Sequence, residues 1–422
     1  MNLPKIAIIG SGISGLSCAY FLSEKYQIKI FEKNDYLGGH SNTVEVNYAD
    51  KKIAVDTGFI VFNHQTYPNL KAFFELMNVT CLKSKMSFAA KIDGGRIEYA
   101  GTNLASVFAQ FKNAFNPKFL RMLSDIMRFN KKAEEILARD FDVNYTLKNL
   151  LDDLGVKDYF REFYLLPMSG AIWSCPVETM LAYPAQSFVR FFKNHGLLTV
   201  ANQPQWYTVA GGSKEYVKKI VTKIGAESIS LNDEVISVER LADKVLLRSK
   251  KGEEFFDAVF FACHGDQVLG ALKNPTPQEK AVFSNFKYQP NLAVLHRDSS
   301  LMPKSKKAWA SWVYAKNSQN KNQQISVTYW MNNLQNIDQK YPLFVTLNPS
   351  EKILEEKIFA RFNYDHPIFD SEAVKAQEEI SALQGVDKIY FCGAYQKYGF
   401  HEDGISSALA AINKINVFAP WQ

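Results

Sequence analysis

Apolar residues along this chain change their spacing in blocks, and the blocks predict its elements. Ile6-Ala-Ile-Ile9 is an uninterrupted apolar run, the mark of a strand buried on both faces, and Leu16–Ser23 reads as a helix with small residues Ser17, Cys18 and Ala19 on one side. Ile28–Phe31 is a second strand, closed by Glu32. Ser41–Asn47 alternates, with Lys51–Val55 as its hairpin partner, and Pro68–Met77 is an amphipathic helix. Met86–Ile92 and Arg96–Tyr99 flank the turn Asp93-Gly94-Gly95. From Leu104 to about Asn194 the period is helical (Leu120, Leu123, Met127; Leu147, Leu150, Leu151, Leu154) and strand signals vanish. A helix at Lys214–Ile224 precedes renewed alternation at Glu234–Glu239 and Val245–Ser249, and Phe255–Cys263 reads as one apolar strand. Strands rich in aromatics follow at Leu292–His296, Trp309–Ala315, Ile325–Met331 and Leu343–Leu347, with Lys316–Gln324 as a polar hairpin tip. A helix at Glu372–Leu383 leads to a strand ending in Gly393, a loop, and a helix opened by Gly404 that runs over Ile405–Ile415.

Between the first strand and the first helix stand Gly10, Gly12 and Gly15. In that position the first permits a tight turn, the second lets the backbone approach a pyrophosphate, and the third lets the helix pack closely while its N–H groups face phosphate. Glu32, about twenty residues on, is placed to accept ribose hydroxyls. The ligand expected is a dinucleotide with an unphosphorylated ribose.

The 422 residues exceed a usual single core, so two domains are expected, and 47% apolar against 22% charged residues argues against disorder. Thirty-one Phe and twenty Tyr suit a cavity for a flat ring or greasy substrate, or equally a Phe-rich core. A net charge of +6 without a block of bases and stacking aromatics gives no reason to expect nucleic acid. Cys18, Cys81, Cys175, Cys263 and Cys392 stand far apart, which indicates neither disulfides nor zinc and fits a reducing cytoplasm. No run of about eighteen apolar residues predicts a spanning helix. The histidines, at 40, 64, 195, 264, 296, 366 and 401, lack the i, i+4 pairing of common metal motifs, and there is no G-x-S-x-G.

Glu32-Lys33-x-x-x-Leu37-Gly38-Gly39 resembles the extended FAD motif of the flavin amine oxidase, protoporphyrinogen oxidase and carotenoid desaturase superfamily. Asp56-Thr-Gly58 looks like its D-x-G segment, though a turn carboxylate would look the same. The Gly393 to Gly404 stretch resembles its closing return over the flavin. The resemblance implies FAD, with Gly10, Gly12, Gly15, Glu32, Gly38, Gly39 and His40 holding it and the Val235 amide meeting the adenine. Gly393 and a helix N-terminus capped by Asp403, with free N–H groups at Gly404 and Ile405, would face the flavin. It also implies an α/β fold: a discontinuous FAD-binding Rossmann-like domain (1–80, 205–290, 385–422) and a substrate domain of antiparallel or mixed sheet (81–204, 291–384) carrying a helical insertion over about 104–194. Asp56–Asn63, Leu295–Asp298, Ala308–Trp312 and Val327–Asn332 resemble more narrowly the flavoprotein domain fused to plant cyclopropane fatty acid synthases and its bacterial stand-alone relatives.

Three departures from the superfamily matter. His40 stands where amine oxidases commonly carry Arg, Ala394 where many have an acid, and no cysteine after Gly393 is suited to flavin attachment, so FAD is expected to be noncovalent. The implied activity is an FAD-dependent oxidoreductase transferring hydride between a substrate C–H bond and flavin N5, preferably on a lipid acyl chain. An oxidase of soluble amines, or a flavin-bearing accessory protein of a lipid-modifying enzyme, remain as alternatives. Tyr395, Tyr398 and Phe400 are candidates to flank the ring. His296 is a candidate proton acceptor, or a strand histidine satisfied by the backbone. Phe111–Lys132 sets six bases and one acid among Phe111, Phe115, Phe119, Leu120 and Phe129, the composition of a helix resting peripherally on an anionic membrane, or of a solvated helix whose phenylalanines pack inward.

Overall fold

The computed structural model describes residues 3–138, 142, 144–173, 180–194, 196–198, 203–317 and 326–422. The first apolar run is the middle of a five-stranded parallel sheet, in the order Ile229–Ser230, Gln27–Phe31, Lys5–Ile9, Ala258–Phe261, Ile389–Phe391. Ile6 and Ile8 pack into one core and Ala7 and Ile9 into another on the opposite face, which is why the run does not alternate. Helix Ile13–Leu22 covers the first face and packs against helix His401–Asn413. A methyl on Gly404 would lie 2.6 Å from Ile13 Cγ2, so the two helices approach through that glycine.

The apolar strand expected over Phe255–Cys263 is two strands in different sheets. Gly252–Phe256 closes a three-stranded antiparallel sheet with Val235–Arg240 and Val245–Ser249, and Ala258–Phe261 joins the parallel sheet. Asp257 makes the break: its carboxylate accepts from the Lys5 N–H (2.7 Å) and from Lys244 Nζ (2.6 Å).

A seven-stranded mixed sheet runs in the order Ile358–Ile368, Lys287–His296, Phe344–Leu347, Ser326–Trp330, Trp312–Lys316, Phe88–Ile92, Ile97–Ala100. Its pairings are antiparallel except that of Trp312–Lys316 with Phe88–Ile92. The aromatic strands lie near their expected positions, with Trp309 just outside its strand; residues 318–324 of the expected hairpin tip lie outside the described residues. Ile358–Ile368 was not expected as a strand. It is an edge strand and so tolerates Pro367.

Helices Pro117–Leu137, Leu147–Asp153 and Ala185–Asn194 pack onto this sheet. Phe119, Phe129, Phe160 and Phe188 share one core with Ile92, Tyr99 and Tyr314. Truncating such a buried phenylalanine costs about 3–5 kcal/mol. Among the described residues no helix is long and apolar enough to cross a membrane.

Candidate functional site

A cavity of about 1420 Å³ opens at the carboxyl ends of the parallel strands, where Ile9, Phe31, Ala262 and Gly393 all reach its wall. Ligands of open α/β sheets bind at these strand ends, because the turns there are free to present backbone N–H groups. Gly10, Gly12, Gly38 and Gly39 line the same end. Gly15 makes the close approach its place in the motif requires, since a Cβ there would lie 2.0 Å from the Gly10 carbonyl oxygen. The two glycine motifs are joined: Gly38, at φ +110°, donates its N–H to the Ser11 carbonyl at 3.0 Å.

Glu32 also lines this end. One carboxylate oxygen accepts from the Ser11 N–H (3.0 Å) and hydroxyl (2.6 Å), and the other from the Asn34 N–H (2.9 Å). The carboxylate is therefore fixed at the mouth of the glycine turn. Val235 lines the wall beside Asp233 and Glu234.

Four of the described histidines line the cavity. His40 lies 5.5 Å from His366, 6.4 Å from His264 and 5.0 Å from Tyr364, ring centre to ring centre. His401 stacks on Phe59 at 3.7 Å and shares a 2.8 Å hydrogen bond with Ser41 Oγ, which also meets the Tyr216 hydroxyl. Burial holds all four below the usual imidazole range, His264, His366 and His401 at about 3. They are neutral near pH 7. No group of three or more His, Cys, Asp or Glu capable of holding a metal occurs among the described residues.

Asp56 is a hub. Its carboxylate accepts from Thr43 Oγ1 (2.5 Å), the Ser213 N–H (2.9 Å) and hydroxyl (2.7 Å), and Gln335 Nε2 (2.9 Å). It ties the segment before Gly58 to the start of helix Lys214–Ile224, and burial raises its pKa to about 6.

An apolar part of the cavity wall, the arm, is built by Met86, Tyr99, Leu123, Ile126, Met168 and Ile172. Among the described lining residues from 86 to 206 there is no Asp, Glu, Lys or Arg. Phe400 stacks on Phe191 at 5.1 Å, with Tyr398 5.6 Å from the same ring, and all three line the cavity.

The structure places several expected residues elsewhere. His296 is not in the wall: its Nδ1 accepts from the Asp298 N–H at 3.1 Å and its Nε2 meets Thr346 Oγ1 at 2.7 Å, so the ring is fully used inside the seven-stranded sheet. Burial lowers its pKa to about 4. Tyr395 touches the wall, but its ring sits in the core against Gly393 and, at 4.7 Å, Phe286. The last helix begins at His401 rather than Gly404. The Gly404 N–H is already bonded to the Phe400 carbonyl (3.0 Å), and neither Asp403, Gly404 nor Ile405 lines the cavity. The first-turn N–H groups without a main-chain partner are those of His401, Glu402 and Asp403. Asp403 instead accepts from the Phe400 (2.9 Å) and Tyr398 (3.2 Å) N–H groups, holding the turn that presents both aromatics.

Residues not singled out from sequence complete the site: Phe191, His264, Tyr364 and His366. Alternation through Phe362, Tyr364 and His366 was the signal available for the last two. Phe191 carried only the helical period of its neighbours.

The residues at the glycine end fit FAD. His40 Nε2 and His264 Nδ1 are buried in the wall without a hydrogen-bond partner, and such groups cost about 1–3 kcal/mol each unless a ligand satisfies them. A pyrophosphate or ribityl chain offers the required partners.

Fold and site together define an α/β protein with a Rossmann-like dinucleotide-binding unit and a second, mixed sheet. A family of NAD(P)-binding Rossmann-like domains matches residues 8–76. The 1-hydroxycarotenoid 3,4-desaturase of Flavobacterium sp. (strain P99-3) is 31% identical over 133 residues; the match covers 28% of this chain and only 26% of the desaturase. Solved structures share the fold over nearly the whole chain. A CLA-producing fatty acid isomerase from P. acnes gives a TM-score of 0.69 at 14% identity, covering 99% of each chain. Cyclohexylamine oxidase from Brevibacterium oxydans IH-35A gives 0.69 at 13% identity, and putrescine oxidase bound to putrescine 0.67 at 12%, each covering 98% of this chain and 99% of the other.

Proposed function

We propose that this chain is an FAD-dependent oxidoreductase of the amine oxidase and desaturase kind, holding FAD noncovalently and acting on an apolar substrate, a lipid acyl chain. In this reading residues 1–80, 205–290 and 385–422 form the cofactor domain, and 81–204 and 291–384 the substrate domain. Bound FAD would supply hydride transfer between a substrate C–H bond and flavin N5. The chain's own residues bind, orient and exclude water. Glu32 anchors the ribose, and His40 and His264 donate to the pyrophosphate or ribityl groups as neutral imidazoles in place of an arginine. Phe191, Tyr398 and Phe400 form the wall against which the reacting carbon is held.

One observation carries the choice of substrate: the part of the wall built by residues 86–206 has no carboxylate and no cation among its described residues, and the charged lining residues, Glu32, Lys33, Asp233, Glu234 and Asp365, all come from other stretches of the chain. A protonated amine buried there would lack a counter-ion, at a cost of several kcal/mol, whereas an acyl chain gains about 0.8 kcal/mol for each CH₂ it buries. The isomerase and desaturase among the similar proteins support the same choice. The reading also puts the enzyme at a membrane surface.

Purified protein is expected to be yellow and to release intact FAD on acid treatment. In stopped-flow mixing under anaerobic conditions, acyl lipids are expected to bleach the flavin band and polyamines and aromatic amines are not. Reduction by amines alone would replace the substrate assignment. Reduction by neither class would favour a flavin-bearing accessory role beside a lipid-modifying enzyme.

A further inference from the structure

The apolar arm reaches the surface where exposed apolar side chains are concentrated. Leu104 and Met127 belong to the cavity wall and are also 78% and 60% exposed, so the cavity wall reaches solvent at these residues. Phe111 and Phe115, in the turn that leads into helix Pro117–Leu137, are 76% and 73% exposed with their rings in edge contact at 5.2 Å, and Leu120 is exposed near the start of that helix. These five make up a third of the 15 large apolar side chains exposed among the described residues, yet they fall within one short stretch of sequence.

Helix Pro117–Leu137 organises the mouth. At 3.6 residues per turn, Leu123, Ile126 and Asn130 share the face that lines the cavity, and Leu120 and Met127, seven apart, lie along its rim. Further round the helix come Arg121, Arg128, Lys132 and Lys118, all exposed. One helix thus passes from cavity wall through apolar rim to basic face. Arg121 and Arg128 are held by the buried Asp125, each at 3.2 Å. Lys112 and Lys118 have no acidic partner among the described residues.

We propose that this mouth docks on a bilayer containing anionic phospholipid. Phe111, Phe115, Leu120, Leu104 and Met127 enter the acyl boundary, Lys112 and Lys118 meet phosphate, and an acyl chain slides from the bilayer into the arm without crossing water. Charge complementarity selects this occupant. Exposed aromatics and two lysines near them in sequence, Lys112 and Lys118, that have no acidic partner among the described residues match an interface that is apolar within and negative at its surface. The inference rests on the acyl reading of the cavity, but vesicle binding is measured without turnover, so the two can fail separately.

The test is co-sedimentation of the full-length protein with phosphatidylcholine vesicles with and without 30% phosphatidylglycerol, at low salt and in 0.5 M NaCl. Binding is expected only to the anionic vesicles, at least about tenfold weaker in high salt. The double variants Lys112→Glu/Lys118→Glu and Phe111→Ser/Phe115→Ser are each expected to bind about tenfold more weakly or worse, with unchanged flavin spectrum and melting temperature. Arg121 and Arg128 are left intact because reversing them would strand Asp125. Absence of wild-type binding to anionic vesicles at low salt overturns the proposal. So do a stable dimer that covers Phe111 and Phe115, and salt-sensitive binding to an acidic acyl carrier protein in place of vesicles. If vesicles bind but their acyl lipids fail to reduce the flavin, docking stands and the substrate assignment falls.

Discussion

Glu32 grips Ser11 twice, through its main-chain N–H at 3.0 Å and its hydroxyl at 2.6 Å, and so fixes the glycine turn to the end of the second strand. Replacing Glu32 by Ala removes both the anchor for the turn and the acceptor for the ribose. Hydrogen bonds to a charged group are worth about 1.5–3 kcal/mol, so FAD should bind roughly 10- to 100-fold more weakly. Fluorescence titration of the apoprotein measures this, and an unchanged affinity would remove Glu32 from the site.

Phe400 is expected to position substrate rather than cofactor. Phe400→Leu keeps much of the apolar volume but loses the stacking on Phe191, which lies 5.1 Å away. Reduction by the acyl substrate should slow about tenfold or more, with FAD affinity within about twofold. A matched loss of FAD affinity would count against this division of roles.

His296 gives the opposite expectation. Its imidazole bridges Thr346 and the Asp298 N–H inside the sheet, away from the cavity. His296→Ala should lower stability by about 2–3 kcal/mol and leave flavin reduction unchanged. A large loss of the rate constant in a variant that is still folded would return His296 to the chemistry.

Acid should destabilise the protein, and Asp403 should blunt the effect. His264, His366 and His401 have folded pKa values near 3, below the ordinary 6.5, so their contribution is complete above pH 6.5 and is lost as pH falls toward 3. Asp403 is raised from 3.8 to about 7 by burial, so its contribution is complete below 3.8 and is lost as pH rises through 7. As pH falls from 6.5 to 4.5 the histidines lower stability while Asp403, together with Asp56 at about 6, raises it. Asp403→Asn keeps an acceptor for the Phe400 N–H but cannot titrate. Its denaturation free energy should therefore fall more steeply than wild type across that window, by up to about 1.4 kcal/mol per pH unit. Parallel profiles would contradict the assignment.

The glycine end of the site was legible because its chemistry is local. The Gly10 to Gly15 motif and Glu32 lie within one strand-turn-helix-strand unit, where spacing alone dictates geometry. The α/β class with its second sheet was legible for a similar reason, since a non-alternating run implies burial on both faces. The remaining misreadings have distinct causes. Asp257 ends a strand through hydrogen bonds from the Lys5 main-chain N–H and from Lys244 Nζ that no apolar count registers. Edge strand Ile358–Ile368 carries Asn363, Asp365 and Pro367, which disguise a strand, so Tyr364 and His366 went unseen with it. The last helix was placed three residues late because Asp403 resembles a cap before Gly404, whereas in the fold it caps from inside the first turn.

The contact of helix Ile13–Leu22 with helix His401–Asn413 also sets a timetable. Ser14 Oγ donates to the Gly404 carbonyl at 3.0 Å across 390 positions of sequence. A ribosome adding about 5–20 residues per second takes roughly 20–80 s to bridge that separation. Throughout that interval the nascent helix carries an apolar flank with nothing to cover it, and the sheet beside it lacks Ile389–Phe391. The nucleotide-binding end therefore closes only some 390 residues of synthesis after its glycine signature has been made.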